Sequence, residues 1–481
     1  MIQKLTKKFI NEPSKSTSEG KESSFDTPRG LEEALLSFLA GSSTGKSSSQ
    51  PSPLDSICEA LALDSKYQEV GKVLSGSLFN TESFGSQKHW EGTCLESPEQ
   101  WSKVRLLLAR LLEECPPEPL LYILLVKTNL RTGPSAFPAT VQTAREGLAA
   151  CTLETPEWLR DQCEKTLAVS LSAMASRGSL DLSDRVKYRQ QAEKILMSLL
   201  ERHQDDPIVL YNLGLLFAED RQYGQALKYA RAALSIAQVS FGPASALVAL
   251  ILSGRRELKS ALAVIDYGLL ECASLFKHLL ILIKAKIHLA MGRSHKAIET
   301  VGEYLKGVQP ADGNGSQDTS TLEAGRLWQN LTEAFLREGR IKDAEVCLGE
   351  MAKVMPSSPD YLFVKGLMKQ KEKSIGEAIH NFEKTLALDP SHAPGALALG
   401  DVYRIRGGSD IGKQTGDLVM AHSLLSDGLR QQPDEHMGWR NLGLVCKAQG
   451  RMEEAKKYLK SAVSLASSAP VLSFMFLPRF L

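Results

Sequence analysis

The sequence predicts an all-α protein, an α-solenoid in which antiparallel helical hairpins stack one against the next. Small residues recur at a fixed spacing, as Ala344 and Ala378 do 34 positions apart. Hydrophobic residues make up 43% of the 481 residues and aromatic residues only 6%, a profile that suits packed helices better than sheets. Prolines fall between the predicted helices at Pro356, Pro390 and Pro433, where a missing amide donor ends a helix. A single hairpin cannot bury its own apolar faces, so the hairpins must stack into a superhelix.

Four hairpins can be laid end to end between residues 325 and 470 without loss of register. Small residues occupy the positions where two helix backbones approach closely, since a branched side chain does not fit there. The spacing is typical of tetratricopeptide repeats, so the predicted fold is a tetratricopeptide repeat superhelix. The residues predicted to pack in these and the preceding repeats are Gly214, Ala226, Ala297, Trp328, Ala344, Gly366, Ala378, Gly400, Ala421, Trp439, Gly443 and Ala455.

The third of these hairpins keeps its phase only if residues 408–416 are an insert between its two helices. The run GGSDIGKQTG around them has the composition of a loop. Removing the insert restores the repeat period on both sides. We therefore expect an extended loop that is either tolerated surface or a partner contact, with plain surface favoured.

The rest of the chain divides by composition and by the strength of the repeat pattern. Residues 1–53 are rich in Ser, Lys and Glu, and this segment is predicted to be largely disordered, with short helices. The other predicted segments are divergent helical hairpins at 54–206, tetratricopeptide-like repeats at 207–311, a linker at 312–324, and an apolar tail at 471–481.

The tail VLSFMFLPRFL is unusual for the end of a repeat array, because a terminal repeat normally presents a polar outer face. Three interpretations follow. The tail docks in a partner, or it docks along the array, or the sequence ends where the natural chain does not. The last interpretation is favoured.

Charge and motifs argue against catalysis and against nucleic acid as a partner. The formal net charge is +1, so no strong field draws the chain to nucleic acid or to an anionic membrane. The eight cysteines lack metal-ligand spacing, and no phosphate loop or nucleophile elbow occurs, so we expect no metal, no cofactor and no enzymatic activity. No apolar run approaches the length that spans a bilayer, and we expect a cytoplasmic protein without transmembrane insertion.

A basic amphipathic helix is predicted between residues 98 and 114. Trp101, Arg105, Leu106, Arg110 and Leu111 combine basic and apolar side chains in a pattern that calmodulin can bind. Helices of repeat proteins routinely carry the same pattern, and packing in the core is the favoured interpretation.

First helices of such hairpins line one surface of the array, which predicts a partner groove. Its candidate residues on successive hairpins are Gln329, Glu333, Phe363, Arg404 and Arg440. The lysine/asparagine clamp with which some repeat proteins grip two-carboxylate chaperone tails is absent, which disfavours a cochaperone. One aromatic residue and two arginines suit a partner helix or extended segment, with ordinary solvated surface as the plainer alternative at each position.

The order of the repeats resembles the C-terminal half of one family. The resemblance is carried by LYNLGLLFAEDRQYGQALKYARAAL, LIKAKIHLAMGRSHKAIE, LEAGRLWQNLTEAFLREGRIKDAEVCL and WRNLGLVCKAQG, and it extends from about Asp205 to Phe474. The family comprises the plant no-pollen-germination proteins, also called calmodulin-binding tetratricopeptide proteins, and their animal counterparts that scaffold phosphatidylinositol 4-kinase.

The resemblance implies a non-catalytic cytoplasmic scaffold that is recruited to the plasma membrane as a peripheral protein. There it would join a phosphatidylinositol 4-kinase to a hyccin-like subunit and a membrane-anchored adaptor. Plant members of the family also bind calmodulin, so a calmodulin-binding repeat protein in calcium signalling is the second hypothesis. A generic repeat adaptor in protein assembly or transport is the third.

Overall fold

The structure is a computed structural model that describes residues 105–106, 108–109, 112, 119–132, 136–153, 155–176, 180–236, 242–271, 274–307, 319–409 and 414–479. Every regular element in these ranges is helical, which confirms the predicted all-α class. The Ser-rich segment 1–53 lies outside the described residues. The chain divides into two compact units, 1–170 with 481 and 171–480, and the boundary falls inside one helix.

The first unit contains helix α1 (Pro119–Thr132), helix α2 (Phe137–Ala149) and most of helix α3 (Glu157–Ala175). Helices α1 and α2 cross closely, because a Cβ atom added to Gly147 would lie 2.7 Å from the Cβ atom of Tyr122. A small apolar core of Ile123, Leu159 and Cys163 joins α1 to α3. These contacts make one hairpin with the next helix packed on it.

The described part of the second unit contains fifteen helices after α3. They are α4 (Leu182–Arg202), α5 (Pro207–Glu219), α6 (Tyr223–Ile236), α7 (Gly242–Gly254), α8 (Leu258–Glu271), α9 (Ser274–Ala290), α10 (Ser294–Gly307), α11 (Thr319–Arg337), α12 (Ile341–Val354), α13 (Pro359–Lys371), α14 (Ile375–Leu388), α15 (Ala393–Ser409), α16 (Gln414–Gln431), α17 (His436–Ala448) and α18 (Met452–Ser467).

Helices α5 to α18 pair in chain order as seven hairpins, from α5 with α6 to α17 with α18. The second helix of each hairpin packs on the first helix of the next, and first helices of neighbouring hairpins also touch, as α9 and α11 do. This arrangement confirms the predicted superhelix of stacked repeats.

Helix boundaries follow from caps and prolines. Asp206 precedes α5, and its carboxylate accepts hydrogen bonds from the amides of Ile208 and Val209 at 2.8 and 3.2 Å. At the other end of a hairpin, α12 stops at Val354, ahead of Pro356, because the residue before a proline is disfavoured in helical conformation. Helices α14 and α16 also end just before their predicted prolines.

The linker predicted at 312–324 is wrong at its carboxyl end, because α11 begins at Thr319. Ser, Thr and Asp favour loops in isolation, but Leu327 is buried and tertiary packing overrides that local preference. One apolar core extends from Leu282 on α9 to Val402 on α15. The repeats before and after the predicted linker therefore form one packed block.

The loop predicted at 408–416 is largely absorbed into longer helices. Helix α15 has 17 residues and α16 has 18, against 13 and 14 in the preceding hairpin. Helix α15 continues to Ser409 and α16 begins at Gln414. The guanidinium of Arg406 donates two hydrogen bonds of 2.6 Å to the two carboxylate oxygens of Asp417, which ties the extended helices together.

Asp417→Asn is expected to lower the free energy of unfolding by ~1.5–3 kcal/mol, since a buried acceptor of two charge-assisted hydrogen bonds loses its charge. The matched control on the same helix is Asp427→Asn, which breaks an exposed pair with Arg430 and should cost at most about 1 kcal/mol. Urea denaturation followed by circular dichroism measures both variants. Equal losses would contradict a stabilising role for the Arg406 pair.

Candidate functional site

Polar side chains on the first helices of consecutive hairpins pair with one another. The ammonium of Lys286 on α9 lies 2.7 Å from Glu333 Oε2 on α11, and each side chain is about one-fifth exposed. The amide of Gln329 donates to the other carboxylate oxygen at 3.4 Å. The predicted groove residues Gln329 and Glu333 therefore lie together, and Glu333 is already neutralised by a lysine that the sequence analysis missed.

The arrangement recurs further along the array. Arg404 Nη2 lies 2.7 Å from Asp401 Oδ1 on α15, and Gln370 on α13 donates to Asp401 Oδ2 at 3.5 Å. Arg440 on α17 is exposed. We use the term first-helix row for Lys286, Gln329, Glu333, Gln370, Asp401, Arg404 and Arg440. Glu333 and Arg404 are paired within the array, so Arg440 is the charged groove residue that is most available to a partner.

Phe363 is not a groove residue, which corrects the prediction. Its side chain is 8% exposed, and its ring centroid lies 6.0 Å from that of Phe382 and 5.3 Å from that of His392. The face of α13 that carries Phe363 therefore points into the core, because these two rings supply apolar contacts there.

The predicted calmodulin segment is only partly described. Trp101, Arg110 and Leu111 lie outside the described residues. Arg105 is half-buried, and Leu106 is 59% exposed. Of the predicted calmodulin residues that the structure describes, an exposed apolar side chain thus follows a basic one.

Two of the predicted packing glycines lie where a neighbouring helix approaches closely. A Cβ atom on Gly366 would be 2.5 Å from the ring of Phe382, and one on Gly400 would be 2.7 Å from Leu425 Cγ. Trp439 is half-buried and donates its indole N–H to the carbonyl of Pro433, and Trp328 is also half-buried. The buried small residues are Gly214, Ala226, Ala297, Ala344, Gly366, Ala378, Gly400, Ala421, Gly443 and Ala455.

The chain after α18 returns to the first hairpins of the second unit, and we call residues 468–479 the strap. Tyr211 on α5 donates its hydroxyl hydrogen to the carbonyl of Pro478 at 2.9 Å. The hydroxyl of Ser253 at the end of α7 accepts from the amide of Val471 at 3.1 Å. These partners are 267 and 218 residues apart in the chain. The apolar tail therefore docks along the array, one of the three interpretations that the sequence left open.

The strap contains a short 3₁₀ turn, Phe474–Phe476, and one side of this turn is buried. Phe474 and Leu477 are 5% and 3% exposed, whereas Met475 and Phe476 are 42% and 43% exposed. In a 3₁₀ turn side chains three residues apart lie one above the other, which brings Phe474 and Leu477 to the same side. The ring of Phe474 packs 6.2 Å from that of Tyr223 at the start of α6.

A buried ion pair holds the end of the strap. Arg479 Nη2 lies 2.6 Å from Glu219 Oε1 at the end of α5, with the two side chains 11% and 8% exposed. Burial raises the pKa of the Glu219 carboxyl above its usual value, while Arg479 and Arg189 oppose that shift. The second carboxylate oxygen, Oε2, has no hydrogen-bond partner among the described residues.

The turns inside six described hairpins each contain one residue in the left-handed region. In each turn the following amide bonds to the carbonyl five residues earlier, the pattern of a Schellman cap. Glycine is the residue that adopts this conformation without strain. The six residues are Gly292, Gly339, Gly450, Arg221, Arg256 and Lys373, with φ between +60° and +78°.

Two of these left-handed residues bind the end of α18. Arg221 Nη1 donates to the carbonyl of Leu465 and to the hydroxyl of Ser468, both at 2.7 Å. Arg256 donates to the carbonyl of Ala466. Guanidinium groups thus satisfy the last carbonyls of the last helix. Sequence reasoning missed both arginines, although aligning the hairpin turns in phase would have placed them where glycine is expected.

The burial of His288 on α9 leads us to expect that the stability of the array depends on pH. Its side chain is buried, and its Nδ1 has no hydrogen-bond partner in the described part of the chain. Burial, with nearby Lys284 and Lys296, lowers the pKa of His288 below its usual value. The unfolded state therefore binds the proton more tightly, and the stabilising contribution is lost as the pH falls below about 6.5.

His288→Gln is accordingly expected to reduce the loss of stability between pH 7 and pH 5. Urea midpoints at both pH values measure the effect, and His380→Gln, at an exposed position on α14, is the matched control. An unchanged pH dependence in the His288 variant would contradict the titration of this ring.

Within the described ranges, no group of three or more His, Cys, Asp or Glu residues is arranged to hold a metal ion. None of the helices there combines the length and apolar character needed to cross a bilayer.

Comparison with known proteins finds similarity to tetratricopeptide repeats in two segments of the chain. Residues 189–243 and 439–468 match family models described as tetratricopeptide repeat. These two segments of the chain are therefore similar to tetratricopeptide repeats. The matched residues fall on α4 to α6 and on α17 and α18, so the family models coincide with hairpins at both ends of the second unit.

Two relatives bear out the resemblance predicted from the sequence. The chain is 26% identical to Protein NPG1 of Arabidopsis thaliana over 467 residues, which cover 94% of this chain and 65% of NPG1. It is 24% identical to Tetratricopeptide repeat protein 7A of Homo sapiens over 327 residues, which cover 61% of this chain and 36% of that protein. The chain thus spans less than two-thirds of either relative.

A solved structure shares the fold. The crystal structure of Ypp1 superimposes with a TM-score of 0.53 at 13% identity, over 99% of this chain and 72% of that one. At this level of identity the likeness concerns the fold alone.

Proposed function

We propose that the chain is a non-catalytic scaffold that joins a phosphatidylinositol 4-kinase to a hyccin-like subunit and a membrane-anchored adaptor. The observation that supports this role is the similarity to Tetratricopeptide repeat protein 7A over 61% of the chain, which adds to the resemblance in the order of the repeats. A stacked helical array suits such a role, because it offers long surfaces to several partners at once. The chain would then act at the plasma membrane as a peripheral protein.

The first-helix row is the surface that we assign to a protein partner. Its charges at Glu333 and Arg404 are paired internally, so a partner gains little there unless it replaces the existing bonds. Arg440 is exposed and can form an ion pair with an acidic side chain of a partner helix without breaking an internal pair.

Deletion of the chain in its source cells should abolish recruitment of the lipid kinase to the plasma membrane, which fluorescence microscopy of the tagged kinase measures. Re-expression of the wild-type chain should restore recruitment. Arg440→Glu should fail to restore it, whereas Arg430→Glu, a matched exposed change on α16, should succeed. Normal kinase recruitment in cells that lack the chain would contradict the proposal.

Calmodulin binding is the second candidate, motivated by the basic amphipathic segment from Trp101 to Leu111. The exposure of Leu106 next to Arg105 favours it. Titration of the full chain with calcium-loaded calmodulin should show saturable binding that a chelator reverses. Leu106→Glu should weaken that binding, and its absence in the wild-type chain would remove this candidate.

A generic repeat adaptor in protein assembly or transport is the remaining alternative. It predicts that the partners recovered with the chain include neither the kinase complex nor calmodulin.

A further inference from the structure

Two arginines adopt a backbone conformation that is unfavourable for residues other than glycine. The side chains of both contact the far end of the array. Arg221 and Arg256 have φ angles of +60° and +66°, the left-handed region that costs a residue with a side chain more than it costs glycine. Glycine occupies the equivalent turn at Gly292, Gly339 and Gly450. The strain at the two arginines is offset by what their side chains bind, the end of α18 and the strap.

The strap lies in a surface that we call the strap groove, lined by Tyr211, Glu219, Arg221, Tyr223 and Ser253. Most polar contacts from this groove go to backbone atoms of the strap. The hydroxyls of Tyr211 and Tyr223 donate to backbone carbonyls, and that of Ser253 accepts from a backbone amide. Every extended peptide carries these backbone groups, so this part of the recognition does not depend on the strap's own sequence.

Three side chains of the strap supply the specific part of the recognition. Phe474 and Leu477 fill apolar positions, while the two residues between them stay about 40% exposed. Arg479 pairs with the buried carboxylate of Glu219 and also donates to the carbonyl of Ser172 at 3.4 Å. The groove thus recognises an aromatic residue, a leucine three positions later and an arginine two positions after the leucine.

We propose that the strap is a built-in ligand, and that the strap groove takes in its place an extended segment of a partner protein with the same three side chains. The strap is held by one apolar turn, one ion pair and backbone hydrogen bonds rather than by a packed helix face. It can therefore leave without unfolding the hairpins beneath it. This binding property is independent of whether a lipid kinase is among the partners.

A labelled peptide with the sequence of residues 469–479 tests the exchange in the full chain. The release variant carries Phe474→Asp and Leu477→Asp, which remove the strap's apolar anchors and leave the groove intact. Met475→Asp, at an exposed position of the same turn, is the matched control. A tethered ligand has an effective concentration on the order of millimolar, so the wild-type chain and the control should resist the peptide.

Fluorescence anisotropy should show binding to the release variant that is roughly 10-fold or more tighter than to the wild-type chain or the control. A peptide with glutamine in place of its arginine should bind the release variant several-fold more weakly, because the charge-assisted bond to Glu219 is lost. Equal binding to all three chains, or no binding to a release variant whose circular dichroism matches that of the wild type, overturns the proposal.

Hydrogen exchange of the wild-type chain gives a second test that does not depend on the release variant. Peptide in excess of the strap's effective concentration, on the order of ten millimolar, should speed exchange at the amide of Val471, which donates to Ser253, and should leave the amides inside α18 unchanged. A scrambled peptide should have no effect. Unchanged exchange at Val471 with excess peptide overturns the proposal.

The two strained turns supply a further variant that keeps the fold. Arg221→Gly with Arg256→Gly puts glycine where three other turns already have it, so the backbone relaxes while the contacts to α18 and the strap are lost. Strap amides should exchange faster in this variant. Lys373→Gly relieves the same conformation in another turn and should leave strap exchange unchanged. Equal strap exchange in the two variants contradicts the role of the arginines.

Discussion

Phe382→Ala is expected to lower the free energy of unfolding of the second unit by ~3–5 kcal/mol. Phe382 is fully buried on α14 and is one of the largest such side chains described. Its ring packs against Phe363 and lies against Gly366, where no Cβ atom would fit. Truncation removes the transfer free energy of the ring and leaves a cavity that two rigid helix backbones cannot close.

Urea denaturation followed by circular dichroism measures this loss. The matched control is Val346→Ala on α12, whose side chain is 66% exposed and whose truncation should change stability by no more than about 0.5 kcal/mol. A loss below about 1 kcal/mol at Phe382 would contradict the packing described for this hairpin.

Gly443→Leu is expected to destabilise the last hairpin by ~1–3 kcal/mol. A Cβ atom at this position would lie 2.9 Å from Leu459 Cγ and 3.3 Å from the carbonyl oxygen of Ala455. The leucine side chain can shift, but the carbonyl belongs to the backbone of α18 and cannot. The added side chain therefore forces the two helices apart.

Gly349→Ala is the control, since nothing lies within 4 Å of a Cβ atom at that exposed helical position. It should raise stability by ~0.5–1 kcal/mol, because alanine loses less backbone entropy than glycine in a helix. Thermal melts compare the two variants. An unchanged melting curve for Gly443→Leu would contradict the register of the repeats.

The sequence was sufficient to predict the repeat register because repeat packing is local. Gly366 meets Phe382 within one hairpin, and Gly443 meets Leu459 in the same way, so the spacing of small and bulky residues carries the information. The longer α15 and α16 were missed because the glycines around Ser409 suggest a loop when read alone.

The strap could not be predicted in the same way. Its partners Tyr211 and Ser253 lie more than 200 residues away in the chain, and only stacking of the intervening hairpins brings them together. Phe363 was misplaced for a related reason. Helical periodicity gives the residues that share a face, whereas the face that points to the core is fixed by neighbours such as His392, which follows the next helix.

Affinity purification of the tagged chain from its native extract, followed by mass spectrometry, tests the scaffold role most directly. Parallel washes with calcium and with chelator separate calmodulin from partners that do not need calcium. We expect a phosphatidylinositol 4-kinase and a hyccin-like protein to be recovered with the chain in both washes. Recovery of neither protein, from an extract in which both are detected before purification, would contradict it.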